Sequence, residues 1–324
     1  MQKLENLLRI LADGRFHSGE EIARDLGCSR SAIWKRVSQL REIPGIEVDS
    51  VTGRGYRFKR RLELLDRQVI EDSLSAEVAA SLQDVHIVGS VDSTNALAMS
   101  VGPQIGSGAA WFAEHQTDGR GRRGRTWVSP YGHNIYFSLA WSFDASLPEV
   151  AGLSIATGAA LAEMLNSLGL SNHGLKWPND ILWNQRKLAG ILLEVQGESN
   201  GPATVVIGIG INLDLGEQTK LQIDQPAVGL NETGLEIGRN RLAANLLESM
   251  AQMCREFARD GLSPFVRRWR DYDAFAGRPV SLVGPGREIA GTCVGLADDG
   301  GLRLLSDGRE QVFYAGELSL RSGA

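Results

Sequence analysis

The feature that most constrains this 324-residue chain is a break in charge and in hydrophobic pattern near residue 62. Residues 1–62 hold 13 Lys and Arg against 8 Asp and Glu, whereas the rest of the chain holds 21 against 31. A small basic module is therefore joined to a larger acidic body. This arrangement predicts separate domains and a nucleic-acid contact made by the small one.

The basic module has the pattern of a helix-turn-helix. Ser18 begins a capping box, and Ser29 caps a further helix whose apolar positions repeat at helical spacing. Strands at 46–48 and 56–58, around a turn at 51–55, would add the hairpin of a winged helix. Such a module reads base edges in the major groove, although docking of a partner protein is an alternative. The candidate DNA contacts are Ser29, Arg30, Ser31, Trp34, Lys35 and Arg54.

Composition excludes several classes of protein. No run of residues is long and apolar enough for a membrane span, and the N-terminus lacks a signal-peptide pattern. The three cysteines are scattered, which favours a reducing, cytoplasmic location over a disulfide framework. No pair of cysteines and no spacing of the five histidines predicts a metal site.

The body opens with polar side chains at a predicted helix start. A strand at Val85–Val88 precedes Asp92–Asn95, and an apolar helix follows at Ala96–Val101. Several side-chain oxygens at this position can cap the helix, or they can bind a polar ligand. The residues alone leave both interpretations open.

An arginine- and glycine-rich loop, Gly119–Arg125, is the most informative segment. Its glycines match G-x-G-x-x-G after a strand, but Pro130 soon follows, so the motif opens no helix and is not a dinucleotide fingerprint. Four arginines concentrate charge that would bind an anion with several oxygens. An ordered phosphate or nucleotide site is favoured over a solvated RGG-like RNA-binding patch, because such patches are repetitive and terminal.

Three further segments complete the body. Lys176–Asp180 precedes a turn and a predicted buried strand at Arg186–Glu194. Thr204–Ile211 predicts another strand, in which Gly208 and Gly210 indicate close approach of a neighbour to the backbone.

Short β runs at 279–283, 291–296, 301–305 and 311–314 predict a small C-terminal β domain.

Together, these motifs resemble the biotin–protein ligase family, in its bifunctional form that also represses transcription. The resemblance covers essentially the whole chain. It implies an α+β multidomain fold with a winged helix-turn-helix at 1–62, a class II synthetase-like α/β ligase domain at 63–275 and an SH3-like β-barrel at 276–324. It also implies synthesis of biotinyl-5′-AMP from biotin and ATP with Mg²⁺, and transfer of biotin to a lysine of the biotin carboxyl carrier protein of acetyl-CoA carboxylase.

The resemblance assigns roles to site residues. Lys187, Arg122, Lys176 and Asp180 are implied to be catalytic. The implied biotin and adenylate contacts are Ser93, Thr94, Asn95, Gln116, Gly119, Arg120, Gly121, Arg122 and Lys187. The implied nucleotide contacts are Arg125, Trp127, Asn179 and Asn212. Trp127 could stack on adenine or simply pack, and Asn179 and Asp180 could face the metal, the nucleotide or the incoming lysine.

Regulation is also implied. The adenylate would act as co-repressor, promoting a homodimer that binds operator DNA. We expect the ordered arginine loop to present a dimer surface beside a strand at Asn134–Trp141. Two rival functions remain: a lipoate–protein ligase, and a winged-helix repressor that senses a ligand without ligase activity.

Overall fold

The computed structural model describes residues 2–147, 149–197, 201–284, 287–314 and 319–322. The N-terminal module contains α1 (Gln2–Leu11), α2 (Gly19–Asp25), α3 (Arg30–Leu40), β1 (Val48–Val51) and β2 (Gly55–Phe58). The inward positions predicted on α3, Ile33, Val37 and Leu40, are buried, which confirms the helical pattern. The capping box is confirmed as well, since Ser18 and Glu21 exchange two hydrogen bonds of 3.1 Å.

The hairpin forms the wing, with a corrected first strand. β1 spans Val48–Val51 rather than the predicted 46–48, because the Arg54 amide donates to the Val51 carbonyl and closes a tighter turn. At the base of the wing, His17 pairs with Tyr56, so the backbone of the α1–α2 loop extends the two-stranded sheet. A Cβ at Gly55 would lie 2.0 Å from the His17 carbonyl oxygen, so this contact requires glycine.

The central domain is built on a seven-stranded sheet. Its strands run in the order β3-β4-β5-β9-β8-β7-β6; β3 and β4 are parallel and the other neighbours antiparallel. The strands are β3 (Asp84–Val88), β4 (Ala109–Ala113), β5 (Ile135–Phe143), β6 (His173–Lys176), β7 (Asp180–Trp183), β8 (Arg186–Gly197) and β9 (Ala203–Ile211). The helices are α4 (Arg67–Asp72), α5 (Ala76–Ala79), α6 (Thr94–Ile105), α7 (Leu153–Ser167), α8 (Glu217–Lys220), α9 (Arg239–Asp260) and α10 (Ser263–Tyr272).

The hydrophobic core of this domain lies between the sheet and α7, α9 and α10. Leu153 and Leu161 of α7, Leu246 of α9 and Phe265 of α10 are fully buried in one cluster with the strands. Nearly every residue of β5 is buried too, and β5 pairs with β4 on one side and β9 on the other. β5 itself offers neither a free edge nor an exposed face, and the dimer surface expected from the arginine loop beside it stays a prediction.

A buried ion pair fastens the winged helix to the central domain through the connecting segment. Arg239, at the start of α9, lies 2.6 Å from the Glu114 carboxylate, and both side chains are almost fully buried. The same guanidinium donates to the backbone carbonyls of Glu63 and Asn134. Breaking one partner of such a pair would leave a buried charge uncompensated.

The winged helix also contacts the central domain directly. Tyr131 is buried in the hydrophobic cluster of the winged helix. The Asp214 carboxylate lies 3.0 Å from Arg60 and 3.3 Å from His133, whose other ring nitrogen is 3.0 Å from the Gly45 carbonyl. The hydrogen bond with His133, with Arg60 nearby, lowers the pKa of Asp214 from its ordinary value of 3.8 to about 2.

The C-terminal domain is an antiparallel sheet in the order β13-β12-β11-β10-β14. Its strands are β10 (Pro279–Gly284), β11 (Arg287–Leu296), β12 (Leu302–Ser306), β13 (Arg309–Phe313) and β14 (Ser319–Ser322). The four predicted strands are confirmed, and β14 was missed by the sequence analysis. None of the described helices is long and apolar enough to cross a membrane.

Candidate active site

A narrow pocket, here called the inner pocket, lies at the start of α6 against the strands β8 and β9. Ser93 is the N-cap of α6 and accepts the Ala96 amide, so the capping interpretation holds for this residue. Thr94 and Asn95, the first residues of the helix, line the pocket and are only 3% exposed. The capping role is therefore confirmed for Ser93, whereas binding of a polar ligand by this cluster stays a prediction.

The polar atoms of the inner pocket are joined in one hydrogen-bond network. The Asn95 amide nitrogen lies 2.8 Å from the Glu194 carboxylate and 3.2 Å from the Leu192 carbonyl. The Ser138 hydroxyl lies 2.6 Å from the Asn95 side-chain oxygen and 2.8 Å from the Thr94 hydroxyl. Sequence reasoning missed Ser138 and Glu194, although a polar residue inside an otherwise apolar strand was a usable signal.

Two glycines on β9 give the pocket its shape. A Cβ at Gly208 would lie 2.2 Å from the Asn95 side-chain oxygen, and one at Gly210 would lie 2.5 Å from the Trp127 ring. The predicted close approach to this strand is thus confirmed. Trp127 lines the inner pocket and also the larger cavity beside it, and its buried indole nitrogen has no partner among the described residues.

A cavity of about 1080 Å³, here called the outer cavity, adjoins the inner pocket. The arginine loop forms one wall, and the segment 222–227 forms part of another. Arg122 donates to the Asn179 side chain at 3.1 Å, which ties the loop to the segment before β7. Burial lowers the pKa of Arg122, and the charges of Arg123 and Arg125 add to this effect. Crowded, partly desolvated guanidinium groups of this kind favour binding of an anion.

Lys187 lies where the two cavities meet, since it lines both. Its ammonium is 2.7 Å from the Asp180 carboxylate, and each side chain is about 15% exposed or less. The ammonium also lies 5.4 Å from the centre of the Trp127 ring. The Asn212 amide donates to the Lys187 backbone carbonyl at 3.2 Å and so supports this part of β8.

The structure brings nearly all of the predicted site residues together. Those lining the inner pocket are Ser93, Thr94, Asn95, Gln116, Arg120, Gly121, Arg122 and Lys187. Those lining the outer cavity are Gly121, Arg122, Arg125, Trp127, Lys176, Asn179, Asp180, Lys187 and Asn212. Gly119 lines neither; a Cβ there would meet the Trp127 carbonyl at 2.5 Å, so its role is to let the loop pack behind the pocket.

The predicted DNA-binding residues lie on the outer face of the winged helix. Arg30, Trp34 and Lys35 are exposed on α3, and Trp34 is 61% exposed. The Ser29 side chain accepts the Ala32 amide and contacts Ser31, so Ser29 is first a helix cap. At the wing, the Arg54 guanidinium lies 4.2 Å from the centre of the Phe16 ring.

Comparison with known proteins agrees with this architecture. Residues 90–212 match the biotin/lipoate A/B protein ligase family, residues 3–57 match an HTH domain, and residues 275–321 match the biotin protein ligase C-terminal domain. The bifunctional ligase/repressor BirA of Salmonella typhimurium is 40% identical, covering 98% of this chain and 97% of the relative. BirA of Escherichia coli K12 is 38% identical, covering 98% and 96%.

The comparison extends to a relative that matches only part of this chain and to a solved structure. The biotin–[acetyl-CoA-carboxylase] ligase of Paracoccus denitrificans is 34% identical over 70% of this chain and 96% of its own length. The biotin protein ligase of Aquifex aeolicus in complex with biotin and ATP superposes with a TM-score of 0.64, at 28% identity over 75% of this chain and all of that one. With its HTH domain, ligase domain and C-terminal domain, the chain belongs to the biotin protein ligase family, in the bifunctional ligase and repressor branch.

Proposed function

We propose that the chain is an ATP-dependent biotin ligase. The carboxylate of biotin attacks the α-phosphate of ATP, which forms biotinyl-5′-AMP and releases pyrophosphate. A lysine amine of the biotin carboxyl carrier protein of acetyl-CoA carboxylase then attacks the biotinyl carbonyl and releases AMP. The observation that carries this proposal is the position of Lys187 between a narrow polar pocket and a large cationic cavity.

The charged side chains at this junction suit adenylate formation. Phosphoryl chemistry depends on positioned positive charge more than on a protein nucleophile. Lys187 would hold the biotin carboxylate against the α-phosphate, and Arg122 and Lys176 would stabilise charge on the phosphates. The inner residues Ser93, Thr94, Asn95, Gln116, Arg120 and Gly121 would bind biotin, and the outer residues Arg125, Trp127, Asn179 and Asn212 would bind the nucleotide.

The residues present fit a magnesium ion that arrives with ATP. Mg²⁺ typically uses one or two carboxylates, several waters and the substrate phosphates. Asp180 supplies a carboxylate in the outer cavity, and no group of three or more His, Cys, Asp or Glu among the described residues would form a complete protein site. When bound, the ion would offset charge on the phosphates; Asp180, now paired with Lys187, would turn toward it.

The decisive test is biotin-dependent exchange of labelled pyrophosphate into ATP by the purified chain, with lipoate in parallel. We expect exchange with biotin and none above background with lipoate. Exchange driven by lipoate would identify a lipoate–protein ligase, and the absence of exchange with either acid would favour a sensor without ligase activity.

We infer that the chain is also a repressor of biotin synthesis, with biotinyl-5′-AMP as co-repressor. The exposed basic face of α3 and the wing supports contact with operator DNA through Arg30, Ser31, Trp34, Lys35 and Arg54. We propose that residues 1–62 form the DNA-binding domain, 63–275 the ligase domain and 276–324 the C-terminal domain. A ligand-promoted homodimer would place two winged helices on two half-sites.

Sedimentation with and without biotin plus ATP tests the repressor mechanism, together with DNA binding at the same salt. The probe is a duplex enriched from a random pool by the wild-type chain with both ligands. We expect dimerisation and tighter DNA binding to appear together. A rise in DNA affinity with no change in oligomeric state would contradict coupling through a dimer.

A further inference from the structure

The outer face of α3 carries one large apolar side chain among polar and basic ones. Trp34 is 61% exposed, and Arg30 and Lys35 beside it are exposed as well. The opposite face of the helix is buried in the core of the winged helix through Ile33 and Val37. Most of the Trp34 indole is therefore free to meet whatever α3 binds.

Some polar side chains of α3 are already committed within the protein, whereas Trp34 is not. The Ser38 hydroxyl donates to the Trp34 carbonyl at 3.1 Å, and the Arg36 guanidinium donates to the Cys28 sulfur at 3.1 Å. The side chains of Trp34 and Lys35, by contrast, make no hydrogen bond within the part of the chain that the structure describes. These two groups are thus available to a partner of α3.

Trp34 lies in the half of α3 that would meet base edges. It is the fifth residue of this helix, which spans Arg30–Leu40. The second helix of a helix-turn-helix contacts base edges with its N-terminal residues. The C-terminal end of α3 is fastened to the wing, because Arg41 donates to the Val48 carbonyl at 3.3 Å. The helix that presents Trp34 is therefore held in a fixed direction relative to the wing.

Among the base edges of the major groove, thymine matches an indole ring best. An indole offers an apolar surface and one N–H donor, and it has no acceptor. Thymine presents a C5 methyl group beside the O4 acceptor. Guanine offers two acceptors without an apolar group, and cytosine and adenine each present an amino donor that the indole cannot accept. Only thymine supplies both an apolar contact and an acceptor without such a donor.

We propose that Trp34 reads the C5 methyl group of a thymine and makes thymine the preferred base at one position of each half-site. Lys35, a compact charge on a flexible stem, would contact phosphate and carry no sequence information. The inference rests on the proposed function, since it takes DNA as the partner of α3. A protein docked on the exposed indole is the alternative that the test must separate.

The probe is the duplex enriched from a random pool by the wild-type chain with biotin and ATP. Each thymine is replaced in turn by uracil, which also pairs with adenine and lacks only the C5 methyl group. We expect one thymine in each half-site at which uracil raises the Kd of the wild type about fourfold, as for loss of one buried methyl contact. In Trp34→Ala, the Kd for the thymine duplex should rise about tenfold or more, and uracil at that position should change it less than about 1.5-fold.

Three further variants serve as comparisons. Trp34→Phe keeps an apolar ring and should retain most of the response to uracil, which covers the case that Trp34→Ala does not fold. Lys35→Ala should raise the Kd for the thymine and uracil duplexes by the same factor and leave the uracil effect intact. Val69→Ala, at an exposed position on α4 of the central domain, is the matched control and should leave both Kd values unchanged.

The contradicting outcomes are distinct. A uracil effect that persists in full in Trp34→Ala would show that another residue reads the methyl group and would overturn the inference. Unchanged affinity of Trp34→Ala for both duplexes would also overturn it, and would leave the indole for contact with a protein. A wild type that binds the duplex but has no uracil-sensitive thymine would overturn the inference alone. A wild type that enriches no duplex would overturn the proposed repressor function as well.

Discussion

The inner pocket and the outer cavity differ in how their polar side chains are held. In the inner pocket, Thr94, Asn95 and Ser138 are buried and bonded to one another. In the outer cavity, arginine and lysine side chains crowd around a space of about 1080 Å³. The comparison teaches that a neutral ring can be recognised by fixed hydrogen bonds, whereas an anionic nucleotide is recognised by charge that its own phosphates help to order.

The architecture explains this difference. The inner pocket rests on β5, β8 and β9, neighbouring strands of the central sheet, so its geometry is set when the sheet forms. The outer cavity also borders β6, β7 and β8, but the arginine loop and the segment 222–227, which form other parts of its wall, are not strands of the sheet. We therefore expect a substitution in the inner pocket to reduce ligand affinity strongly. A change that affects the outer cavity should reduce ligand affinity by smaller steps.

The largest expected effect comes from adding one methyl group to the inner pocket. In Gly208→Ala the new Cβ would lie 2.2 Å from the Asn95 side-chain oxygen, and a packed sheet leaves Asn95 no room to retreat. We expect biotin affinity to fall by more than about a hundredfold by calorimetry, roughly 3 kcal/mol or more. Gly216→Ala, where a Cβ would meet nothing within 4 Å, is the matched control. If Gly208→Ala binds biotin normally, the inner pocket is not rigid.

A smaller effect is expected from Lys187→Ala, at the junction of the two cavities. Loss of one charge-assisted contact to the reacting carboxylate should slow adenylate formation about ten- to a hundredfold. Transfer from pre-made biotinyl-5′-AMP should suffer much less, because the carboxylate is then already joined to the phosphate as a mixed anhydride. Separate assays of the two half-reactions check this. Equal loss in both would make Lys187 a general binding residue rather than one that acts at the junction.

A third prediction concerns the link from the outer cavity to the winged helix. Asp214 lies two residues after Asn212, and its pKa is lowered to about 2 by His133 and then by Arg60. A lowered pKa stabilises the fold above the unfolded value of 3.8, and this contribution is lost as pH falls toward 2. We expect Asp214→Asn to lower the free energy of unfolding by about 1–2 kcal/mol at neutral pH.

Urea unfolding of wild type and Asp214→Asn across the range from neutral pH down to about pH 3 measures this difference. The gap between the two proteins should narrow below about pH 4, because the Asp214 carboxylate of the unfolded wild type then takes up a proton while that of the folded protein does not. A gap that stays constant with pH would show that the charge of Asp214 is not what stabilises the contact. The same variant should weaken ATP binding more than biotin binding, because Asn212 in the same segment lines the outer cavity and not the inner pocket.

The smallest expected effect is that of salt. Raising KCl from about 50 to 500 mM shortens the screening length to a few ångströms, so contacts of the partly exposed arginine loop should weaken. We expect ATP affinity to fall a few-fold, while affinity for biotin methyl ester, which lacks the carboxylate, stays nearly constant. If the two affinities depended equally on salt, this would contradict the proposal that the outer cavity binds its ligand by charge and the inner pocket by hydrogen bonds.

The sequence predicted those parts of the site that are continuous along the chain. The arginine loop predicts an anion site because positive charge and glycine occur together in it, at Gly121, Arg122 and Arg125. The helix cap at Ser93 and the buried strands around Gly208 also follow from local pattern. The loop, the helix cap and the strands depend mainly on interactions between residues close in sequence. A local sequence pattern can therefore predict them.

The rest depends on residues far apart in sequence. Asn95 meets Glu194 and Ser138 only because α6 packs on the central sheet, so no spacing could predict the network. The position of β5 in the middle of the sheet likewise depends on its pairing with β9, which is distant in sequence. Tyr131 joins the core of the winged helix although it belongs to the central domain.

Native mass spectrometry of the chain after incubation with biotin, ATP and Mg²⁺ tests the central claim most directly. The account predicts a species heavier than the free chain by the mass of one biotinyl-5′-AMP, held across the inner pocket and the outer cavity without a covalent bond. Under denaturing conditions that mass should leave the protein. A chain that acquires no such mass, or one that keeps it after denaturation, would contradict the account.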